Sequence, residues 1–195
     1  MQTHVITWKT SPNHSRLWVQ SHELRHAAFV SRLGYDVSSH DGLEWDQYDT
    51  PRASYIVVEH QGACAGVCRL VPTTAPYMIE EIFPHLLPYA PPKDTRVWEA
   101  SRIAVDTRLP GPEREQALKE LIVGVQRFGV DHGLTHFLGL MPVPIFRRTL
   151  IRHGVRVNIM AGAAQAVDGI PTATGEIIVD QGTIDRLMPV LASAA

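Results

Sequence analysis

Val97-Trp98-Glu99-Ala100-Ser101-Arg102-Ile103-Ala104-Val105-Asp106 alternates like a β-strand and supplies the frame for the rest of the chain. Val97, Ile103 and Val105 are β-branched and Trp98 is aromatic, the side chains that a pleated sheet favours. Successive side chains on a strand point to opposite faces. Regular alternation therefore puts Glu99, Ser101, Ile103 and Val105 on one face, and Trp98, Ala100, Arg102 and Ala104 on the other. Glu99 and Arg102 point to opposite sides unless the strand bulges between them. A charge on each face of a central strand is costly unless it is paired. Possible partners lie upstream in apolar or aromatic surroundings: Arg25, Asp46, Asp49 and Arg69. Such a set is either a structural ion-pair network or part of a reactive site.

At 195 residues the chain is long enough for one domain with a full core. Its 45% hydrophobic and 19% charged residues describe an ordinary globular protein. A net charge of -2 gives no general attraction to nucleic acid or to an anionic membrane. No basic start leads into an apolar run, so no signal peptide is expected. No apolar run approaches the ~18 residues of a membrane span. These features predict a cytoplasmic protein with reduced cysteines. Cys64 and Cys68, four apart on a predicted strand, should share a face but sit too far apart for a disulfide. Ala192-Ser193-Ala194-Ala195 reads as a frayed tail.

Helix and strand signals alternate along the chain. Residues 3–8 form a first strand. Residues 15–33 read as a helix with Trp18, Arg25, Phe29 and Leu33 on one stripe, closed by Gly34. Residues 35–52 have no period and read as a long ordered loop, a kind that is usually functional. Tyr55 to Glu59 and Cys64 to Val71 form a hairpin about Gln61-Gly62. Pro72 to Pro92 holds one short helix near Met78 to Phe83. Pro112 to His132 is the clearest helix, with Glu113 and Glu115 at its positive end and Leu118, Leu121, Ile122, Val125 and Phe128 on its buried face. Thr135 to Met141 is a strand, Val143 to His153 a helix stopped by Gly154, Gly175 to Gln181 a late strand, and Thr183 to Leu191 a last helix. The pattern is an α/β sandwich with a mixed sheet.

No G-x-G-x-x-G follows a strand, and neither G-x-x-x-x-G-K-[ST] nor G-x-S-x-G occurs, so dinucleotide, P-loop and nucleophile-elbow chemistry have no support. His22-Glu23-Leu24-Arg25-His26 fits H-E-x-x-H, the zinc peptidase helix. It lacks a third ligand at a typical spacing, and the apolar stripe lies on the Arg25 face. No metal is assigned, and the two histidines are expected at the surface.

A larger match holds. Arg25-x3-Phe29, then Glu44-x-Asp46-Gln47-Tyr48-Asp49, then Arg69-Leu70-x-Pro72-Thr73, then Trp98-Glu99-x-Ser101-Arg102 occur in this order. The ordered set resembles the acyl-homoserine-lactone synthases, the autoinducer synthases of bacterial quorum sensing, over residues 20–160. One departure is Tyr35, where the family usually has tryptophan after the first helix.

The resemblance implies a fold similar to the N-acetyltransferases, with a splayed sheet that holds a thioester's pantetheine arm. It implies a reaction in which the amine of S-adenosylmethionine attacks an acyl thioester and the methionine carboxylate then closes to a lactone, expelling methylthioadenosine. S-adenosylmethionine enters as a substrate, and no cofactor is implied. Glu99 is the implied base for the ammonium proton, directly or through a water, with Ser101 and Arg102 beside it. Arg25, Phe29, Tyr35, Asp46, Asp49 and Arg69 are implied around S-adenosylmethionine. There the aspartates meet cationic groups, and Arg25, Arg69 or Arg102 meets the carboxylate or braces the acids. Trp98, Leu140, Met141, Phe146 and Leu150 are the implied acyl pocket.

Arg147, Arg148, Arg152 and Arg156 crowd one stretch of a slightly acidic chain. Such a run is a solvated helix face or a docking patch for an acidic acyl-carrier protein, and an acyl-CoA would be served as well. The alternatives to a lactone synthase are an N-acyltransferase acting on another amine and a non-catalytic thioester- or nucleotide-binding module.

Overall fold

The structure is a computed structural model that describes residues 1–160, 165–167 and 169–192. The chain opens with β1 (Gln2–Thr7) and α1 (Ser15–Arg25), which runs on as a π-helical segment over His26–Arg32. A small hairpin of β2 (Ser39–His40) and β3 (Leu43–Glu44) follows inside the long loop. Next come β4 (Ser54–His60), β5 (Ala63–Pro72), α2 (Met78–Glu81) and β6 (Val97–Val105). Then come α3 (Gly111–Asp131), β7 (His136–Pro142) and α4 (Val143–Ile145), which continues irregularly through His153. The chain closes with β8 (Val157–Ile159), β9 (Gln165–Val167), β10 (Ile170–Ile178) and α5 (Gln181–Ala192). No helix among the described residues is long and apolar enough to cross a membrane.

The strands form one mixed sheet in the order β1-β4-β5-β6-β7-β10-β8, with β9 on β10. Every pair is antiparallel except β6 and β7. One face packs under α3 and α5, with Ile56, Leu70, Ala100, Leu121, Phe137 and Phe146 in its core. α3 comes so close to β4 that a Cβ on Gly124 would lie 2.6 Å from the Ile56 side chain. The other face packs Ile6, Leu24, Tyr55, Val67, Val71 and Tyr77 beneath α1 and the long connections. Sheet and helices thus form an α/β sandwich, as the alternating pattern predicts.

Two irregularities decide where the chemistry sits. The first is a splay. β6 and β7 pair only at Val97–His136, Trp98–Phe137 and Glu99–Leu138. Beyond Glu99, β6 stays with β5 as far as Val105, while β7 stays with β10 as far as Pro142. The sheet therefore opens immediately past Glu99.

The second is a bulge on β6. Arg69 pairs with Ser101 but Val67 pairs with Ala104, so Cys68 faces two residues, Arg102 and Ile103. Arg102 takes a left-handed φ of +56°, an uncommon and costly conformation for a residue with a Cβ. The extra residue turns Arg102 and Ala104 to the Glu99 face and sends Ile103 and Val105 to the α3 face. Regular alternation, which puts Ile103 and Val105 with Glu99, holds only as far as Ser101.

A similar register shift between Val58 and Glu59 separates the two cysteines. Cys64 lies in the α1-side core and Cys68 in the α3-side core, so they do not share a face. Both are buried and free. Leu33 also departs from expectation: it is 45% exposed, because the π-helical turns after Arg25 step by five residues and carry the stripe away from the sheet. β10 begins at Ile170, before the expected Gly175; Pro171 and the threonines hide its start, and a proline is tolerated there because it falls in the opening residues of the strand. Of the expected frayed tail, residues 193–195 lie outside the described residues.

Candidate active site

Three arginines and three acids close into a ring on the Glu99 face. Arg25 Nε donates to Glu44 at 2.5 Å, and its two terminal nitrogens donate to Asp49 at 2.8 Å each. Arg69 bonds Asp46 and lies 3.2 Å from Asp49. Arg102 bonds Glu44 through Nε and Asp46 through Nη2, both at 2.9 Å. Each carboxylate touches two arginines and each arginine two carboxylates, so the ring carries no net charge. α1 supplies Arg25, β5 supplies Arg69, the β6 bulge supplies Arg102, and the long loop supplies all three acids. Without the bulge Arg102 would face α3 and the ring could not close.

The ring is almost dry. Arg25, Glu44 and Arg69 are fully buried. Burying isolated charges would be prohibitive, and only near-complete pairing makes it tolerable. Asp49 is saturated: besides the two arginines it accepts from the Tyr55 hydroxyl at 2.5 Å and the Asp46 N–H at 2.8 Å. Burial by itself would raise the Asp49 carboxyl, but Arg25 and Arg69 outweigh it and hold the group well below the usual carboxylate range. Asp46 is less committed, since its Oδ2 accepts only from Arg102.

Glu99 lies beside this ring and outside it, fully buried at the mouth of the splay. The Ile79 N–H of α2 donates to Oε2 at 2.8 Å, while Oε1 has no hydrogen-bond partner. Burial pushes the Glu99 carboxyl up, and the Ile79 N–H, Arg69, the nearby Ser101 hydroxyl and Arg102 only partly counter it. Arg69 Nη2 is likewise buried without a partner. The Ser101 hydroxyl accepts from Arg69 Nε at 3.2 Å. Two polar atoms of opposite kind, an acceptor on Glu99 and a charged donor on Arg69, are thus buried without a hydrogen-bond partner.

The remaining expected residues divide by face. Phe29 stacks on Tyr35 at 6.3 Å and carries the Arg102 guanidinium at 5.5 Å from its ring, walling the ring of charges. Leu140 packs on the Glu99 face, whereas Met141, Phe146 and Leu150 pack on the α3 face. Trp98 also lies there, edge-on to Phe128 at 5.2 Å. The five expected pocket residues are thus not on one surface. A small apolar cavity of about 20 Å³, room for little more than one water, lies between β6 and α3, with Leu150, Ala100, Ile103 and Leu121 in its walls. Arg147, Arg148, Arg152 and Arg156 are all exposed. Arg152 pairs with Glu115 at 2.6 Å and Arg156 with Asp180 at 3.6 Å, while Arg147 and Arg148 have no ion pair among the described residues.

Sequence reasoning overlooks Glu44, although it stands in the matched motif. Counting charges would have found it, since three arginines require a third acid. The Ile79 amide has no sequence signal, because any residue but proline has one. His22 is not at the surface: it is 2% exposed, its Nδ1 lies 2.9 Å from the Glu44 carbonyl, and its ring lies 4.5 Å from that of Trp45. Burial and Arg25 lower its pKa. No group of three metal-ligating side chains occurs among the described residues.

The sequence model described as autoinducer synthase matches residues 10–182. The chain is 34% identical to an acyl-homoserine-lactone synthase of Ralstonia solanacearum, over 88% of this chain and 86% of that one. Among solved structures it is similar to BjaI, a CoA-dependent acyl-homoserine lactone synthase with SAM and isopentyl-CoA. That likeness has a TM-score of 0.87 and 28% identity, covering 97% of this chain and 89% of the other. It is similar also to TofI in a ternary complex with an inhibitor and MTA, with a TM-score of 0.81 and 30% identity, covering 98% and 100%. A putative N-acetyltransferase from Lactobacillus plantarum, with a TM-score of 0.59 and 16% identity, covering 92% and 100%, shares the fold. The match over nearly the whole chain, with the motif residues gathered at one splayed site, shows that the chain belongs to the autoinducer synthase family.

Proposed function

We propose that the chain makes an N-acyl-homoserine lactone from S-adenosylmethionine and an acyl thioester, with Glu99 as the base. The observation that carries this reading is the free Oε1 of a buried carboxylate at the mouth of the splay. An ammonium is no nucleophile, so Glu99 first takes a proton from it, directly or through a water. The amine then attacks the thioester carbon; the C–N bond forms, the C–S bond breaks, the thiolate takes one of the two protons lost by the nitrogen and leaves as the thiol, and the other is released to solvent from Glu99. The methionine carboxylate next attacks its own γ-carbon. The C–O bond forms as the bond to the sulfonium sulfur breaks, and the two charges cancel as neutral methylthioadenosine departs.

Arg69 Nη2 is the donor left for the substrate carboxylate, and Glu99 Oε1 the acceptor left for its ammonium. Asp49 acts as a brace, because its oxygens are already taken. Asp46 keeps capacity for a cationic group. Phe29 and Tyr35 wall the pocket, and Ser101 steadies Arg69. Substrates of this kind support the cytoplasm as the place of action. The acyl donor is a thioester of coenzyme A or of a carrier protein. Purified protein given S-adenosylmethionine and acyl thioesters should release methylthioadenosine in step with lactone. Acylation of another amine without methylthioadenosine would mean an ordinary N-acyltransferase instead.

An acyl chain whose thioester carbon lies beside Glu99 would run through the splay, between Leu140 and the α3-side wall of Met141, Phe146 and Leu150, and the small cavity on that side would have to widen to take it. Leu140 cannot donate to a 3-oxo oxygen, and a carbonyl buried without a partner costs about 1–3 kcal/mol. The expected product therefore lacks a 3-oxo group. Mass spectrometry of lactones made from matched 3-oxo and unsubstituted donors checks this, and a dominant 3-oxo product would refute it.

A further inference from the structure

We propose that Tyr48 is a positioning residue for the base: its hydroxyl holds α2 through Glu81, and α2 in turn holds Glu99 through the Ile79 N–H. This rests on the lactone-synthase reading above, in which Glu99 takes the proton. The Ile79 N–H fixes Oε2 at 2.8 Å, so where α2 sits decides where the free Oε1 points. Misplacing a reacting group by about 1 Å can cost on the order of 10²-fold in rate.

α2 does not hold itself. It is four residues long, a single turn, far below the length at which a helix is stable alone in water. Ile79 anchors its inner side and is fully buried, and Tyr77 anchors its start by donating to the Pro92 carbonyl at 3.0 Å. The Lys93–Glu80 pair at 2.5 Å is half exposed at its lysine and contributes little. The Met78 sulfur, a weak acceptor, takes Arg102 Nη1 at 3.5 Å. The firm link toward the ring of charges is Tyr48, whose hydroxyl donates to Glu81 Oε2 at 2.9 Å.

Tyr48 is itself well fixed. It is 2% exposed. Its N–H donates to Asp46 Oδ1 at 2.9 Å, and the Arg69 guanidinium lies 5.7 Å from its ring. The loop that carries the acids of the ring thus reaches across to α2 through one phenol. Burial and then Glu81 raise the Tyr48 pKa, so the hydroxyl keeps the proton it donates. Glu81 is exposed, so a substitution there disturbs no core.

Position can be separated from charge. The groups acting on Glu99 are the Arg69 cation of β5, the Arg102 cation and Ser101 hydroxyl of β6, and Tyr48, Tyr77 and Cys68, which burial keeps protonated. The Ile79 N–H favours the ionised carboxylate, so a loosened α2 moves the acid limb of kcat/KM to higher pH. Removing the Glu81 charge acts through space in the other direction.

The test follows methylthioadenosine release across pH in Tyr48→Phe, Glu81→Ala and Glu81→Gln. Tyr48→Phe and Glu81→Ala should each lose about 10–100-fold in kcat, with KM for S-adenosylmethionine within about threefold of wild type. Both should carry the acid limb to higher pH, although only one of them removes a charge. Glu81→Gln removes the charge but keeps an acceptor for the hydroxyl, and should stay within about threefold of wild type. The proposal is overturned by a kcat within about threefold of wild type in Tyr48→Phe or Glu81→Ala, or by a loss seen only in KM. It is overturned also by an acid limb that stays or moves down, or by equal losses in Glu81→Gln and Glu81→Ala. Should Tyr48→Phe fail to fold, the two Glu81 variants decide by the same criteria. Wild-type protein that releases no methylthioadenosine would overturn the lactone-synthase reading itself; release by wild type with any of the contrary outcomes overturns only the role of Tyr48.

Discussion

Glu99→Gln is expected to fold, to bind S-adenosylmethionine, and to lose about 10²–10⁴-fold in turnover, the usual worth of a general base. Glutamine has nearly the same shape, and its amide oxygen can still accept from the Ile79 N–H that holds Oε2. What it cannot do is take a proton. Stability should not fall, because a buried carboxyl with one oxygen unpartnered is replaced by a neutral group. Single-turnover methylthioadenosine release measures the loss directly, and near-wild-type turnover would remove Glu99 from the mechanism. The pH dependence supplies a second readout. Burial raises the Glu99 pKa, so the group stays protonated at pH values where a free glutamate, with a pKa near ~4.3, is ionised. Activity needs the ionised form. In the wild type kcat/KM should therefore fall as pH drops through this raised pKa, above the ordinary carboxylate range, and this limb should be absent from the residual rate of the variant.

Arg25→Ala is expected to destabilise the fold by about 3–5 kcal/mol, the cost of leaving buried partners of a charge pair uncompensated. It strips Glu44 of one of its two arginines and Asp49 of its bidentate partner, where both acids are buried. Denaturant midpoints measure this, and a loss under about 1 kcal/mol would mean that the ring behaves like an exposed pair. Proton linkage gives the ring a direction in pH. The Asp49 carboxyl is held below its unfolded value by Arg25 and Arg69. Its contribution is therefore complete above the unfolded pKa near ~3.9 and is lost as pH falls through the depressed folded value. Denaturant midpoints taken from neutral pH down toward pH ~3 should fall more steeply in the wild type than in Asp49→Asn. Equal slopes would show that Asp49 keeps its ordinary pKa.

The ring also changes what the acids can do for a substrate. Charge type alone suggests that Asp46 and Asp49 face the sulfonium and ammonium directly. The hydrogen bonds leave Asp49 no free capacity and leave Asp46 some. Pinning the loop and shaping the pocket are therefore one role here, because the acids that hold the loop on the sheet also fix Arg69 and Arg102 beside Glu99.

Local patterns determined much of this protein without any structure. Period and punctuation placed β4, β5, β6 and α3 and closed helices at Gly34, Gly133 and Gly154, since a left-handed residue after a helix favours glycine. The ordered motifs identified the family and all but one of the charged residues in the ring. Only the tertiary structure decided the faces. One extra residue in β6 reverses every side chain beyond it, which moved Arg102 to Glu99 and Ile103 away, and a similar shift on β5 parted Cys64 from Cys68. It also decided what is free. Whether a carboxylate can serve as a base depends on the partners already bound to it, and these come from residues as distant as Ile79 is from Glu99 and Arg102 is from Glu44. Sequence names such groups, but their burial and pairing, and hence their chemistry, arise only when the chain brings them together.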